Sequence, residues 1–241
     1  MHFITAVIVD EPKLSLVEEA LEPYQEDYTD DCPSKYKKFH SVYEECKNRY
    51  DKENEATKTA YPTLKKYIEE VCGYEYDKKM KDYGYWENPN GKWDYYNICP
   101  QGTFERYKPA TEDNAFVQIK DFSKCYNAID KYEDYIRFWE IVVEGKPLKE
   151  GEVEPFNLYS KEYYIENYRD KDNFATLNAS AHCWAFIFDG NWYERGEMNI
   201  LGGYVTKESI IEYIRIWKRV INDPKNQNKY IAIVNCHDWF N

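Results

Sequence analysis

The chain has 241 residues, of which 43% are hydrophobic and 32% are charged. This composition supplies enough apolar side chains for a packed core and excludes an intrinsically disordered protein, so one domain is expected to span residues 1–241. The formal net charge of −12 at pH 7 disfavours direct, non-specific binding to nucleic acid, because an acidic surface repels the phosphate backbone.

The apolar start of the chain is too short to be a targeting segment. Its run from His2 to Val9 is interrupted at Asp10, before it reaches the length of a signal-peptide core. Later apolar runs are strand-sized and fall short of the roughly 20 residues that a bilayer span needs. We therefore expect neither secretion nor membrane insertion.

The first half of the chain contains one predicted strand and two predicted helices. The strand covers Phe3 to Val9 and is expected to lie centrally in a sheet. One helix begins at Pro33 and carries a stripe of residues with helical spacing, and another begins near Pro62 and ends at Gly73. The stripe consists of Tyr36, Phe39, Tyr43, Cys46 and Tyr50.

Helical periodicity disappears in the middle of the chain. Glycine and proline interrupt the segment from Tyr74 to Thr103, which predicts a long, aromatic-rich loop around a short strand at Trp93 to Ile98. A short helix is expected from Ser123. Further strands are predicted at Thr103 to Tyr107, Asn114 to Ile119 and Ile136 to Val143.

Strands and helices alternate again towards the end of the chain. Ser160 and Thr206 are predicted N-caps, the latter for a helix over residues 207–221. Asp189-Gly190 predicts a hairpin turn between a strand at Cys183 to Phe188 and one at Trp192 to Arg195, and a last strand is predicted at Tyr230 to Val234. The expected fold is α+β: a mixed central β-sheet with helices packed on it, in a single domain with a long aromatic-rich loop.

Seven cysteines are scattered along the chain without a C-x-x-C pair. Their odd number argues against a disulfide framework and favours a reducing cytoplasm. His182-Cys183 and Cys236-His237 are adjacent pairs, and neighbours on a strand point to opposite faces, so each pair offers at most one ligand to a metal ion. Neither a disulfide nor a metal or other cofactor is predicted.

Acidic residues are concentrated near the start of the chain. Residues 10–31 contain nine acids and one lysine, a net charge of −8. Such a segment either forms a solvated face or attracts a partner with a basic surface. The partner-binding candidates are Glu18, Glu19, Glu22, Glu26, Asp27, Asp30 and Asp31, together with the aromatic residues Tyr85 and Trp86.

A second group of polar residues is the alternative candidate site. It consists of Asp94, Glu194, Arg195 and His237, with Lys92 near in sequence. An acid, a base and a cation could serve proton transfer or contact a phosphate. The same residues could instead form an internal network of ion pairs and hydrogen bonds that fixes the long loop to the sheet, which is the favoured interpretation.

Several short sequence words lie in order along the chain. They are Pro23-Tyr24-Gln25-Glu26 with Asp31-Cys32-Pro33, Asn88-Pro89-Asn90 with Lys92-Trp93-Asp94-Tyr95-Tyr96, Trp192-Tyr193-Glu194-Arg195-Gly196, and Val234-Asn235-Cys236-His237. Together they resemble a family of uncharacterised accessory proteins encoded by tailed bacteriophages. The resemblance spans nearly the whole chain and implies a protein that acts in the cytoplasm of the infected host.

The chain departs from the family pattern at two polar positions. Family members continue into Ile-Gly-Gly-Arg-Trp where this chain has Ile98-Cys99-Pro100-Gln101-Gly102, so the family arginine is absent. The closing aspartate of the family is replaced by Asn235. Both departures argue against an ancestral catalytic or ligand site in this member.

Three function classes follow. The favoured one is a non-enzymatic, acidic inhibitor of a host nucleic-acid-handling defence complex, similar to an anti-CRISPR protein, whose partner is a host protein or ribonucleoprotein complex with a basic surface. The alternative is a nucleotide-binding or nucleotide-cleaving enzyme that removes a defence signal, which requires Asp94, Arg195 and His237 to line an open pocket. A structural or virion-associated protein is the third.

Overall fold

The computed structural model describes residues 2–27, 31–104, 107–126, 128–179, 183–199, 202–204 and 206–237. Its strands are β1 (His2–Val9), β2 (Lys38–Ser41), β3 (Glu75–Asp77), β4 (Asp82–Glu87), β5 (Tyr95–Ile98), β6 (Phe116–Gln118), β7 (Ala185–Phe188), β8 (Asn191–Glu194), β9 (Glu197–Asn199), β10 (Gly202–Tyr204) and β11 (Tyr230–His237). Its α-helices are α1 (Leu14–Leu21), α2 (Tyr43–Asp51), α3 (Glu55–Ala60), α4 (Leu64–Tyr67), α5 (Glu112–Ala115), α6 (Phe122–Cys125), α7 (Ala128–Val142), α8 (Lys161–Tyr168), α9 (Lys171–Ala179) and α10 (Lys207–Asn222).

The chain divides into two compact units, each with its own sheet. Unit 1 comprises the described residues up to Leu21 and from Tyr95 onward, and unit 2 comprises those from Glu22 to Asp94. The predicted α+β class with a mixed central sheet is confirmed. The organisation as a single domain stays a prediction.

The sheet of unit 1 joins the first and the last strand side by side. Its order is β5-β11-β1-β7-β8, and β6 also pairs with β11. β1 runs antiparallel to β11 along its whole length, with His2 opposite His237 and Val9 opposite Tyr230, and parallel to β7. Bounded apolar strands at Phe3 to Val9 and Tyr230 to Val234 were therefore predicted correctly, and both lie in the interior of the sheet.

One face of this sheet packs against α10. Ala6 and Ile8 of β1 belong to a core cluster with Phe186 of β7 and with Trp217 of α10, whose ring lies 5.2 Å from that of Phe186. α1 also contacts β1, but its buried Val17 and Leu21 lie outside this cluster. α1 therefore covers the opposite face, as the alternation of side chains along a strand requires.

Local signals explain the best-predicted elements of unit 1. Thr206 and Ser209 form a reciprocal capping box at the start of α10, as expected for an N-cap threonine. Asp189 and Gly190 both have positive φ, at 49° and 73°, which is the backbone of a type I′ hairpin turn between β7 and β8. Ser160 accepts a hydrogen bond from the backbone N–H of Tyr163, which confirms it as the cap of α8.

The predicted strand at Ile136 to Val143 is wrong. This stretch lies in α7, whose Phe138 and Trp139 pack at 5.5 Å from the ring of Phe174 in α9. A short apolar run with β-branched residues is compatible with a strand or a helix. Here the packing of α7 against α9 favours the helix. The predicted strand at Thr103 to Tyr107 is also not observed at residues 103 and 104, while residues 105 and 106 lie outside the described part.

Unit 2 is built on a three-stranded sheet in the order β2-β4-β3. The predicted helix from Pro33 is wrong in its first part. Phe39 lies in β2, and the helix covers only Tyr43–Asp51. A Cβ at Gly84 of β4 would lie 2.1 Å from the His40 oxygen and 2.6 Å from the Phe39 ring, so the ring covers this glycine. The pairing of β2 with β4, about 45 positions later in the chain, explains why residues with helical spacing form a strand here.

The segment from Tyr74 to Thr103 is more ordered than a long loop. It contains β3 and β4 of unit 2 and β5 of unit 1, of which only the last was predicted. The predicted end of the preceding helix is confirmed, since Gly73 has a φ of 76° and terminates the turn that follows α4. Within the described residues, no helix is long and apolar enough to span a membrane.

Candidate functional site

Two exposed acids of the candidate partner surface lie on α1. This helix buries Val17 and Leu21, while Glu18 and Glu19 point into solvent. Glu18 lies close enough to Tyr96 that its charge, after burial as the larger cause, helps to raise the pKa of the Tyr96 hydroxyl to about 12. α1 therefore presents two negative charges to solvent, and the Tyr96 hydroxyl stays neutral at physiological pH.

The acids of unit 2 in the same segment are partly paired. A carboxylate oxygen of Glu22 lies 2.6 Å from Lys35 Nζ and accepts a hydrogen bond from the Tyr36 hydroxyl, which together hold its pKa below the usual range. Asp27 lies 2.8 Å from Lys37 Nζ, and these two side chains are only 9% and 10% exposed. Asp27 is thus an internal ion-pair partner and does not belong to an open acidic face.

The remaining acids of the segment differ from one another in exposure. Glu26 is half-buried. A Cβ at Gly91 would lie 3.0 Å from the Cγ of Glu26, so the two residues are close neighbours. Asp31 is exposed. Asp30 lies outside the described residues. Of the predicted acidic candidates that the structure describes, Glu18, Glu19 and Asp31 are exposed to solvent.

Tyr85 and Trp86 are exposed but do not form one aromatic surface. As neighbours on β4 they point to opposite faces of the three-stranded sheet. Tyr85 stacks between His40 and Tyr74, at 5.3 and 5.8 Å between ring centroids. The Trp86 indole N–H donates to a carboxylate oxygen of Asp77 at 2.8 Å. The aromatic contribution of this segment is therefore divided between two faces.

Strand alternation also separates two residues of the alternative polar site. Glu194 lies on the face of β8 that carries Trp192, whose indole N–H donates to it at 2.9 Å. Arg195 follows directly and lies on the other face, beside the α10 core. The adjacency in sequence that suggested an acid and a cation in one site thus places them on opposite sides of the sheet.

His237 lies in an aromatic group at the end of β11. Its ring stacks on that of Tyr95 with centroids 4.4 Å apart and meets the ring of His2 edge-on at 4.7 Å. Nδ1 of His2 lies 2.9 Å from the side-chain oxygen of Asn235. Sequence analysis missed His2 and Tyr95, and the pairing of β1 with β11 and β5 is what brings them to His237.

The structure does not assemble the alternative site as predicted. Three strand spacings, about 14 Å, separate the strands of Arg195 and His237 across the sheet. Asp94 and Lys92 belong to unit 2, where the backbone N–H of Lys92 donates to the Tyr24 carbonyl at 2.8 Å. Convergence of Glu194, Arg195 and His237 on one reacting group is therefore not supported by the register of unit 1.

Arg195 nevertheless occupies an unusual environment. Its Nη2 donates to the side-chain oxygen of the buried Asn178 at 2.6 Å. Its charge acts on three buried groups, Tyr168, Cys183 and Tyr213, and opposes the rise in pKa that burial causes in each of them. In the described part of the chain, no carboxylate forms a salt bridge with this guanidinium.

Unit 1 also contains a pocket that no sequence signal indicated. Its volume is about 340 Å³, and its apolar lining comes from Phe138 and Ile141 of α7 and from Val153. Arg137 and Glu152, which form an ion pair, also line it. None of the predicted site residues lines this pocket.

The described residues provide neither a cluster of metal ligands nor a disulfide. No group of three His, Cys, Asp or Glu side chains suited to a metal ion occurs among the described residues. All seven cysteines carry thiols, and five of them are buried. His182, one member of a predicted histidine–cysteine pair, lies outside the described residues.

Comparison with known proteins yields no relative. Neither family models, nor curated proteins, nor solved structures match this chain. Functional assignment therefore depends on the residues and geometry of this molecule.

Proposed function

We propose that the protein is a non-enzymatic, acidic inhibitor that binds a basic surface of a host protein or ribonucleoprotein complex. The observation that supports it most is the placement of Glu18 and Glu19 on the solvent face of α1, within a chain of net charge −12. Such charges attract a Lys/Arg-rich surface at long range and accelerate association. The proposal includes a bacteriophage origin and a role against a nucleic-acid-handling defence complex in the host cytoplasm, as the family resemblance implies.

The geometry of the polar residues favours binding over catalysis. An acid, a base and a cation must converge within hydrogen-bond reach of one reacting group for proton transfer. Glu194 lies on the face of β8 that carries Trp192, Arg195 follows the strand and lies beside the α10 core, and the strand of His237 is about 14 Å from β8. An inhibitor needs no such convergence.

The test compares two matched double variants of the full chain. E18Q/E19Q removes the exposed charges of α1, and E44Q/E45Q removes two adjacent exposed charges from α2 of unit 2. Each is titrated into a DNA-cleavage assay with a purified RNA-guided host nuclease at several salt concentrations. We expect E18Q/E19Q to weaken inhibition on the order of threefold to tenfold at low salt, and to reduce its salt dependence.

Two outcomes would contradict the proposal. Equal losses in both double variants would indicate an effect of total charge and not of α1. Catalytic consumption of a nucleotide by the purified protein, abolished in a folded H237A variant, would establish the enzyme alternative instead.

A further inference from the structure

One wall of the pocket in unit 1 comes from a long connection between two helices. Residues 143–160 join α7 to α8 without regular secondary structure, and Val153 and Pro155 of this connection line the pocket. Irregular connections longer than about 12–15 residues in a compact unit are usually either functional or disordered. Contacts with α7 fix this one in place, which favours a function.

Arg137 of α7 holds the connection at two points. Its Nε and Nη2 donate to the two carboxylate oxygens of Glu152, at 2.8 and 2.5 Å, and Nη2 also donates to the Pro147 carbonyl at 2.8 Å. The same carboxylate accepts a hydrogen bond from the backbone N–H of Lys149 at 2.6 Å. The wall of the pocket is therefore positioned before a ligand arrives, which lowers the entropic cost of binding.

The pocket exposes apolar surface to water. Val153 is 85% exposed, although it lines the pocket together with Phe138 and Ile141 of α7. Apolar surface in a concave site is typical of a binding site. An apolar group that fills the pocket would remove this surface from water, which is favourable.

The volume of the pocket limits the size of its occupant. At about 340 Å³, it lies near the lower end of the range for small-molecule sites, roughly 300–1,000 Å³. An enclosed apolar cavity of about 150 Å³ is already large enough to bind benzene. One aromatic side chain therefore fits into this pocket.

Charges around the pocket favour a basic ligand. The lining residues carry two carboxylates, those of Asp134 and Glu152, and one guanidinium. Glu150 and Glu154 lie two positions before and after Glu152 and are exposed, as is Lys149. Four carboxylates thus stand against two cations, a net charge of −2, in a chain of net charge −12. This charge repels a second copy of the chain and attracts a segment rich in lysine or arginine.

We propose that this pocket binds an aromatic side chain of a partner protein, in a segment where lysine or arginine residues flank the aromatic residue. The ring packs against Phe138, Ile141 and Val153, and the flanking cations lie near Glu150 and Glu154. The inference rests on the proposed function for the basic character of the partner, and it adds an apolar anchor to the long-range attraction. Aromatic side chains that fill a pocket contribute much of the affinity at protein interfaces.

The experiment titrates three peptides into the full, isotope-labelled chain and follows the backbone amides by NMR, which measures weak binding and locates it. The first peptide is Gly-Lys-Lys-Phe-Lys-Lys-Gly, the second has alanine in place of phenylalanine, and the third has glutamine in place of each lysine. We expect the first to bind about tenfold more tightly than the second, because only the first buries a phenyl group. It should also bind more tightly than the third at low salt. The shifted amides should lie in α7 and in residues 143–160.

Two exposed apolar positions separate the pocket from its surroundings. Val153→Asn replaces part of the apolar lining and should weaken binding of the phenylalanine peptide by about threefold to tenfold. Phe156→Asn is the matched control, because Phe156 is 83% exposed and does not line the pocket, and it should change affinity less than twofold. Both side chains are largely in solvent, so both variants are expected to fold.

Two double variants test the charge of the pocket. E150Q/E154Q should weaken binding of the phenylalanine peptide by about threefold at low salt, and E18Q/E19Q on α1 should change it less than twofold. The peptide titration is independent of the nuclease assay that tests the proposed function. Peptide binding without inhibition would therefore contradict the proposed function alone, and inhibition without peptide binding would contradict only the pocket.

Four outcomes would overturn the inference. Equal affinity for the phenylalanine and alanine peptides would exclude an aromatic anchor, and amide shifts away from α7 and residues 143–160 would place the binding elsewhere. Equal losses in Val153→Asn and Phe156→Asn would indicate a general apolar surface. Self-association of the wild-type chain in sedimentation experiments, weakened by Val153→Asn, would assign the pocket to a second copy.

Discussion

Unit 1 and unit 2 differ in the size of their apolar cores and in the polar contacts that accompany them. The core of unit 1 joins aliphatic strands to large aromatic side chains, and its largest fully buried residue is Trp217. Unit 2 has a smaller core around Val42 and Ile68, and polar groups also take part in its buried contacts. Its Asp27–Lys37 ion pair is almost buried, and the Tyr67 hydroxyl donates to Glu53 at 2.7 Å. Both units bury apolar side chains, and in unit 2 an almost buried ion pair and a hydrogen-bonded tyrosine hydroxyl accompany the smaller core.

Tyr67 illustrates how far this polar character extends in unit 2. Its ring is fully buried, and burial, followed by the hydrogen bond to Glu53, raises the pKa of its hydroxyl to about 12. Tyr83 shows the same arrangement, with its hydroxyl 3.1 Å from Glu69 and a raised pKa. Tyr67 and Tyr83 therefore each combine a packed ring with a hydrogen-bonded hydroxyl.

The largest expected effect is on the apolar core of unit 1. Trp217→Ala should lower the free energy of unfolding by about 3–5 kcal/mol, because it removes a side chain that is 1% exposed and leaves a cavity beside Phe186. Urea denaturation followed by circular dichroism measures this loss. Ile211→Ala on the same helix, at a position that is 44% exposed, should cost less than about 1 kcal/mol. Similar losses in both variants would contradict the packing role of Trp217.

A smaller effect is expected from the ion pair of unit 2. Asp27→Asn removes the negative charge that lies 2.8 Å from the almost buried Lys37 ammonium and should lower stability by about 2–3 kcal/mol. Glu22→Gln breaks the Lys35 pair, whose side chains are 39% and 61% exposed, and should lower stability far less than Asp27→Asn, because solvent screens this pair.

Hydrogen exchange localises this effect. Faster exchange of the unit 2 amides is expected in Asp27→Asn, with the β1–β11 amides of unit 1 affected less. Equal stability of the Asp27 and Glu22 variants would show that the difference in burial between the two pairs has no energetic consequence.

The smallest effect concerns an ion pair of unit 1 and depends on pH. Hydrogen bonds from Arg137, and then from the Lys149 backbone, lower the pKa of Glu152 to about 2. A carboxyl whose folded pKa is depressed stabilises the protein above its unfolded pKa of about 4.3, and this contribution is lost as pH falls from there towards 2.

Glu152→Gln should therefore reduce the dependence of Tm on pH between about pH 5 and pH 2, and lower Tm near neutrality. The exposed neighbour Glu150 provides the control, since Glu150→Gln should leave the acid slope close to that of the wild type. An unchanged slope in Glu152→Gln would contradict the pairing with Arg137.

Sequence signals were sufficient where structure is decided locally. The capping box at Thr206, the hairpin at Asp189-Gly190 and the bounded apolar strand from Phe3 to Val9 each depend on neighbouring residues. They failed where distant partners decide, as at Phe39, whose strand pairs with residues about 45 positions away. The apolar run from Ile136 to Val143 is compatible with a strand or a helix, and its packing against α9 favours the helix.

The candidate sites were predictable only in part. Alternation along the predicted strand from Trp192 to Arg195 was sufficient to separate Glu194 from Arg195, although sequence proximity suggested the opposite. Exposure of Glu18 and Glu19 follows from the helical spacing around Val17 and Leu21. The hydrogen bond from Arg195 Nη2 to Asn178 depends on which residues surround the guanidinium in three dimensions, and no local pattern carries that information.

The pairing of β1 with β11 sets the order in which the chain can fold during translation. Each residue of β1 pairs with a residue of β11 more than 220 positions later. The centre of this sheet therefore cannot form until β11 has left the ribosome. At about 5–20 residues per second, the apolar first strand stays without its partner for on the order of 10–50 s. The contiguous residues of unit 2 emerge long before that. A chaperone that shields β1 would therefore act during synthesis, while unit 2 is already complete.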